Sequence, residues 1–421
     1  MKVIVVGAGI GGLTTALMLH KAGIKAEVYE QSPEVREVGV GINTLPHAIK
    51  ELSDIGLLPA LDNVGVRTRE LYYYNRYGQE VWNEPRGIDA GHPVPQFSIH
   101  RGRLQKVIYD AVLAQLGPDS VKTGLSLSGF IQDEGGVTAH FTDSRSGGPG
   151  LTVRGDVLIC ADGIHSVGRR TFFPNEGAPN WTGVVMWRGA ADWTPWRDGR
   201  TMAIGGGMGA KFVLYPIAHP EGGRQLMNWV VNIKVADDKA PPPRESWSRP
   251  ANRAQVIPYA RRFTIPGFDV TGLVEATQQI FEYPMADRDP LPRWTHGRVT
   301  LLGDAAHPMY PVGSNGASQA ILDARALADK LMKAEHPCQG LREYEHERLP
   351  KTAEVVRLNR KGGPERVIDE AEKKAPAGFE KIDDVMTVAE RKAIVGGYAG
   401  TAGFSTADTQ RSAELRVASS N

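Results

Sequence analysis

Cysteine is almost missing from this chain, with Cys160 and Cys338 the only two in 421 residues. Two cysteines build neither a disulfide framework nor a thiolate metal cluster, so no metal is expected and a reducing cytoplasm is. Cys160 lies in the apolar run Val157-Leu158-Ile159-Cys160-Ala161 and reads as a buried strand residue. Surplus charge is missing too. With 49 basic and 48 acidic residues the net charge is +1, which gives no reason to expect nucleic acid or an anionic membrane as a partner. No apolar run approaches the ~20 residues that span a bilayer, and no leader is expected because strand patterning begins at Lys2. The remaining composition, 41% hydrophobic and 23% charged, is that of a globular chain long enough for two or three substructures.

Glycine is abundant, with 48 residues, and its placement at the start is informative. The β-forming run Val3-Ile4-Val5-Val6 leads into Gly7-Ala8-Gly9-Ile10-Gly11-Gly12. Leu13, Ala16 and Leu17 follow at helical spacing, then the second apolar segment Ala26-Glu27-Val28-Tyr29 and Glu30. This order of strand, glycine turn, helix, strand and acid predicts a dinucleotide-binding unit. Gly7 permits the tight turn, Gly9 admits a pyrophosphate, and Gly12 lets the helix lie against the sheet. The helix N-terminus offers unpaired N–H groups and partial positive charge to that pyrophosphate. Glu30 stands where a carboxylate accepts the two hydroxyls of an adenosine ribose lacking a 2′-phosphate.

Farther along, a helix is expected over about Pro46–Leu52. Leu71-Tyr72-Tyr73-Tyr74 and Glu80-Val81-Trp82 flank Asn75-Arg76-Tyr77-Gly78 as a hairpin. A helix with Leu104, Val107, Ile108, Ala111 and Val112 follows Ile99-His100-Arg101. From about Thr182 to Phe281 the pattern is antiparallel β, with strands around Val184–Trp187, Phe212–Tyr215 and Asn228–Ile233, and a loop at Pro241-Pro242-Pro243. The strand Val299–Leu302 runs into Gly303-Asp304, and a helix is predicted from about Gly316 to Lys333. The tail beyond Arg360 reads as one or two surface helices that fray.

Two later motifs separate a nicotinamide enzyme from a flavoprotein. One is Asp162-Gly163-Ile164-His165-Ser166, backed by Arg169 and Arg170. The other is Gly303-Asp304-Ala305-Ala306-His307-Pro308, continuing through Pro311, Gly313, Asn315 and Gly316. A Gly-Asp ending a strand holds a polyol through its carboxylate. The helix N-terminus near Gly316 suits the anion that a reduced flavin forms, an effect of about 0.3–2 kcal/mol.

Together these pieces resemble the class A flavoprotein aromatic monooxygenases, the family of 4-hydroxybenzoate and salicylate hydroxylases. The nearest likeness is to phenazine-1-carboxylate-type hydroxylases. It is carried by Gly39–Asn43 (GVGIN), Ile99–Gly102 (IHRG), Met186–Gly189 (MWRG), Tyr283–Pro292 (YPMADRDPLP) and the stretch from Gly303 to Asp323, and it covers about residues 2–350. The resemblance implies an α/β fold: a Rossmann-like, glutathione-reductase-like FAD-binding domain in three parts (1–67, 98–180, 284–350). Into it is inserted a mostly antiparallel substrate sheet (hairpin 68–97 and strands 181–283), and a helical tail (351–421) follows. It implies FAD as cofactor, NADH or NADPH and O2 as co-substrates, and a C4a-hydroperoxide that transfers oxygen to a small aromatic or N-heteroaromatic acid or phenol, with or without decarboxylation.

By the same resemblance the flavin contacts are Gly7, Gly9, Ile10, Gly11, Gly12, Glu30, Gln31, Arg36, Val40, Arg101, Asp162, Gly163, Gly303, Asp304, Gly313, Gly316 and Ala317. Asp162, Arg169 and Arg188 are implied for NAD(P)H. Pro311 lies beside the flavin, and Trp187, Tyr215, Trp229, Met309, Tyr310 and Val312 are candidates for the substrate pocket. Relatives often have Gly-Gln-Gly after the proline, where this chain has Gly313-Ser314-Asn315-Gly316. For Trp187, Tyr215 and Trp229 a plain core role stands equal to substrate contact, and the Tyr72-Tyr73-Tyr74 cluster reads more as packing than pocket. His307 reads as structural more than as an acid or base, Arg188 steers an anionic group or pairs with a surface acid, and no general base is named. A reductase or oxidase on the same fold is the alternative, and a homodimer is left open. A non-catalytic escort is disfavoured by the complete loop after Gly303-Asp304.

Overall fold

The computed structural model describes residues 1–236 and 249–420, without the side chains of 413 and 415–420. The expected Pro241–Pro243 loop lies outside the described residues.

The N-terminal apolar run forms strand Lys2–Val6, whose Val3, Ile4 and Val5 are fully buried, each contributing about 1.5–3 kcal/mol by leaving water. It lies at the centre of a five-stranded parallel sheet. The order is Val299–Leu301, Val157–Cys160, Lys2–Val6, Lys25–Glu30 and Val121–Thr123. Lys2–Val6, Val157–Cys160 and Val299–Leu301, buried on both faces, read as continuous apolar runs rather than alternating ones. Register pairs Val6 with Cys160 and Cys160 with Leu301, so these three adjacent strands end at one level. Helices Ile10–Lys21 and Gly316–Lys333 pack together on this sheet. Gly11 makes that crossing tight: a Cβ there would come within 3.0 Å of Leu302 and 3.2 Å of Ala320.

The second layer is a seven-stranded sheet. Its order is Ile280–Asp287, Asn180–Trp193, Gln225–Lys234, Ala210–Pro216, Thr201–Gly205, Glu70–Tyr74 and Glu80–Pro85. Every pairing is antiparallel except that of Thr201–Gly205 with Glu70–Tyr74. Its two faces follow the period-2 alternation of strands. Phe212, Leu214, Trp187, Trp229 and Val231 point to a core covered by helices Arg253–Ala260 and Val270–Ala276. Lys211, Val213, Tyr215, Val230 and Arg188 point the other way, toward the parallel sheet. The small sheet Gly41–Thr44, Gln96–His100 and Gly65–Thr68 links the two layers.

The tail departs from expectation. It forms three helices, Arg366–Lys374, Val388–Ala402 and Thr406–Ser420, and it is not a surface appendage. Val367, Ile368, Ala371 and Val395 are buried against Leu71, Tyr73, Met202 and Ile204 of the large sheet. The segment boundary at 350 falls inside helix Pro337–Arg360, which carries Pro350 without ending. No helix among the described residues is long and apolar enough to cross a membrane.

Candidate active site

Three loops leave the carboxyl ends of three adjacent parallel strands, where ligands of open α/β sheets bind. After Val6 comes the glycine turn, after Cys160 comes Asp162-Gly163, and after Leu301 comes Gly303-Asp304. All three line one continuous cavity of about 1260 Å³, which reaches the inward face of the seven-stranded sheet. A single small-molecule site usually takes about 300–1,000 Å³, so this cavity has room for a large ligand and a second, smaller one.

The glycine turn is shaped for close approach. Gly7 has φ +102° and its N–H donates to the Tyr29 carbonyl at 2.7 Å. A Cβ on Gly12 would sit 2.0 Å from the Gly7 carbonyl, whereas one on Gly9 would meet nothing within 4 Å. Gly12 therefore serves the helix–strand contact and does not line the cavity, while Gly9 leaves open space beside the helix N-terminus. Glu30 Oε2 accepts from Ala8 N–H and Oε1 from Ser32 N–H, both at 2.7 Å. Each oxygen keeps a further lone pair for a ligand hydroxyl. Gln105, which the sequence reading missed, donates to the Ala8 carbonyl at 2.7 Å and also lines the cavity.

At the second loop, Asp162 Oδ2 accepts from Val167 N–H at 2.7 Å, and Oδ1 is buried with no partner. Burial pushes this carboxyl above the usual range. At the third, Asp304 opens onto the cavity. The surrounding protein raises its carboxyl against the opposing pull of His307 and Arg101. Arg101 donates its backbone N–H to the Val40 carbonyl at 2.8 Å, and burial lowers its guanidinium. Gly316 and Ala317 open helix Gly316–Lys333 onto the cavity beside Met309, Pro311 and Gly313.

Several expected residues are placed elsewhere. Trp187 donates to Glu282 at 3.0 Å and stacks on Tyr259, and Trp229 donates to Thr277 at 2.8 Å. Strand alternation turns both to the far core. Tyr310 and Val312 are buried among Val184, Met285 and Tyr283 rather than along the cavity. Val40 offers its carbonyl to Arg101 but does not line the cavity. Arg169 is 1% exposed, pairs with Glu176 and donates to the carbonyls of Ala305, Ala306 and Asp289. It ties the second loop to the third and does not face the cavity. Arg36 lies at the rim, paired with Glu34. His307 Nε2 donates to Asp323 Oδ2 at 2.5 Å, and Arg348 donates to Asp323 Oδ1 at 2.7 Å, which is a buried structural network.

Among residues that face the cavity, Ile10, Gly11, Gln31, Gly163, Gly303, Tyr215 and Arg188 stand where a ligand reaches them. Arg188 donates to the Gly41 carbonyl and to Tyr215 Oη at 3.4 Å, with Nε buried and unpartnered. Tyr73 faces the cavity, whereas Tyr72 and Tyr74 stack with each other at 5.9 Å on the opposite face. Lys211, Asn232, Glu365 and Arg86 were missed. Lys211 had a readable signal, since it lies four residues before Tyr215 on the same strand face.

Comparison with known proteins identifies relatives of this chain. The family described as FAD binding domain matches residues 1–359. The chain is 43% identical over 364 residues to a phenazine 1,6-dicarboxylic acid hydroxylase, PhzS, of Lysobacter antibioticus, covering 85% of this chain and 89% of that protein. It is 30% identical to a 3-amino-4-hydroxybenzoate 2-monooxygenase of Streptomyces cremeus, covering 86% of each. The crystal structure of Klebsiella pneumoniae HpxO complexed with FAD and uric acid superposes with a TM-score of 0.74 at 26% identity, covering 96% of both chains.

Proposed function

The chain belongs to the FAD binding domain family and is an FAD-dependent aromatic monooxygenase, and from its cavity we propose that it hydroxylates an aromatic acid held against the inward sheet face. FAD, reduced by NAD(P)H, supplies the activation of O2 for transfer of one oxygen atom to the ring. The chain's own residues do the rest. Gly9 leaves room for the pyrophosphate, Glu30 accepts ribose hydroxyls and Asp304 accepts those of the ribityl chain. The N-terminus of helix Gly316–Lys333 favours negative charge near it by about 0.3–1 kcal/mol.

Arg188 anchors an anionic ring substituent, because its guanidinium reaches the cavity with Nε unpaired. Met186, Val213, Val230 and Ile204 form an apolar strip on the same wall, which keeps water from the reacting ring. Pro311 and Met309 also line the cavity. Both cysteines are free, consistent with a cytoplasmic setting. The observation that carries the reading is the sharing of one cavity by three parallel-strand ends and the inward face of the second sheet.

The test is turnover by FAD-loaded protein under 18O2 with NADH or NADPH and a panel of aromatic acids. One labelled oxygen per product molecule is expected, with nicotinamide oxidation accelerated by the accepted acid. Substrate oxidation with no label in the product would make it an oxidase or reductase instead.

A further inference from the structure

The inward sheet face carries a second polar group at the end of the apolar strip remote from Tyr215. Lys211 and Tyr215 lie on one strand, four residues apart, so their Cα atoms are separated by about 13 Å at ~3.3 Å per residue. Between them on this face is Val213, with Val230 opposite it in register. Tyr215 receives a hydrogen bond from Arg188, so the strip has a cationic pole there. At the other pole Lys211 Nζ donates to Glu365, and the two side chains are 4% and 5% exposed. Both line the cavity. Asn232, the register partner of Lys211, lies 2% exposed along the same cavity with Oδ1 buried and unpartnered.

A buried ion pair seldom adds net stability, because desolvation offsets the attraction. A pair in a cavity wall, next to an orphaned acceptor, is better matched to a ligand than to folding. Glu365 also lies in the turn Gly363–Glu365, beyond the residues matched by the family, so this chain's tail supplies it. The carboxylate of Glu365 comes close to the loop beside Pro311, at 3.5 Å from Gly313 N–H.

We propose that Lys211, Glu365 and Asn232 form a second substrate-anchoring pole, which binds a hydrogen-bond-donating edge of the ring system at the end opposite the anion held by Arg188. Resting on the aromatic-acid reading above, it makes the preferred substrate an elongated fused aromatic acid with a hydroxyl or ring N–H at its far end. Glu365 accepts the proton of that donor with Asn232 Oδ1 beside it, and Lys211 donates to an adjacent oxygen or ring nitrogen. A single-ring acid reaches one pole but not both.

The test measures binding to the FAD holoenzyme through perturbation of flavin absorbance, with 6-hydroxy-2-naphthoate and 2-naphthoate as probes. Wild type is expected to bind the hydroxylated probe about 10-fold tighter or more, the worth of one good buried hydrogen bond. Glu365→Gln and Lys211→Met should shrink that preference to about 3-fold or less while the 2-naphthoate Kd and the flavin content stay near wild type. Lys211→Arg should retain the preference, and Arg188→Gln should weaken both probes alike. The proposal is overturned if wild type binds the probes equally or not at all, or if Glu365→Gln keeps the preference with normal flavin content. Those outcomes leave the monooxygenase reading standing wherever an aromatic acid still yields singly labelled product under 18O2, and only failure of that labelling removes it.

Discussion

At the scale of the residue, histidines show how burial decides between chemistry and structure. His307 follows Asp304-Ala305-Ala306, a position that invites an acid–base role, yet it bonds Asp323 inside the protein, and Arg348 binds the same carboxylate. That pairing holds Asp323 below the usual carboxylate range despite its burial. His47 is the opposite case. It is buried in helix Pro46–Asp54, its ring 5.7 Å from that of Phe404, and burial, reinforced by the charges of Arg348 and His92, lowers it from 6.5 to about 3. As pH falls through ~6.5 the unfolded chain gains this proton and the folded chain does not. The unfolded state then binds more protons, so the stability due to neutral His47 is complete above about pH 6.5 and is lost progressively toward pH 3. Replacement by leucine removes the titration. Thermal unfolding of His47→Leu should therefore fall less steeply between pH 7 and pH 5 than that of wild type. Equal slopes in the two proteins would show that His47 is accessible to protons in the fold.

At the scale of the element, the strands Lys2–Val6, Val157–Cys160 and Val299–Leu301 were legible because each is an apolar run closed within two residues by Gly or Asp. The chemistry-bearing loops therefore announced their own strand ends. The partner of the Gly313-Ser314-Asn315-Gly316 loop was not legible, because it comes from helix Val388–Ala402, 83 residues later. Tyr398 accepts from Asn315 Nδ2 at 2.9 Å and donates to Asn359 at 2.7 Å, which gives Asn315 a structural reason to stand where relatives have another residue. The motif around Asp287-Arg288-Asp289 is also structural. Asp287 binds Arg360 through two hydrogen bonds, at 2.7 and 2.8 Å, and Arg288 donates to the Ile164 carbonyl at 3.1 Å. Spacing identified these residues as a motif but not as ties between elements. Gly313 has φ +65°, and a Cβ there would come within 2.5 Å of the Tyr398 ring. Gly313→Ala should cost about 1–3 kcal/mol through the left-handed backbone and the displaced ring. Gly397→Ala, on the helix that carries Tyr398 and with nothing within 4 Å of its Cβ, should instead gain about 0.5–1 kcal/mol. Urea unfolding of the pair reads both signs, and a neutral Gly313→Ala would remove the close contact with Tyr398.

At the scale of the whole molecule, the cavity lies between two layers and is completed by a third segment whose composition concealed it. Charged and alanine-rich, the tail reads as solvated, yet Val395, Ala399 and Phe404 form part of the cavity wall. Helix Thr406–Ser420 is tied to the hairpin region by Thr409 with His92 at 2.8 Å and by Gln410 with the Gly91 carbonyl at 3.1 Å. Ser405 and Thr406 line the cavity near that contact, so this helix starts at the cavity wall. The parallel sheet with its glycine turn makes none of these contacts. Ending the chain at Phe404 should leave the flavin content near wild type while admitting water beside the reacting ring. Reducing equivalents would then be diverted to H2O2, raising the peroxide formed per NAD(P)H about 3-fold or more at saturating aromatic acid. Peroxide and product are measured together under identical turnover. Unchanged coupling in the shortened chain would assign water exclusion to the sheet and the Pro311 loop alone, and a loss of flavin would instead place the tail's contribution at the cofactor.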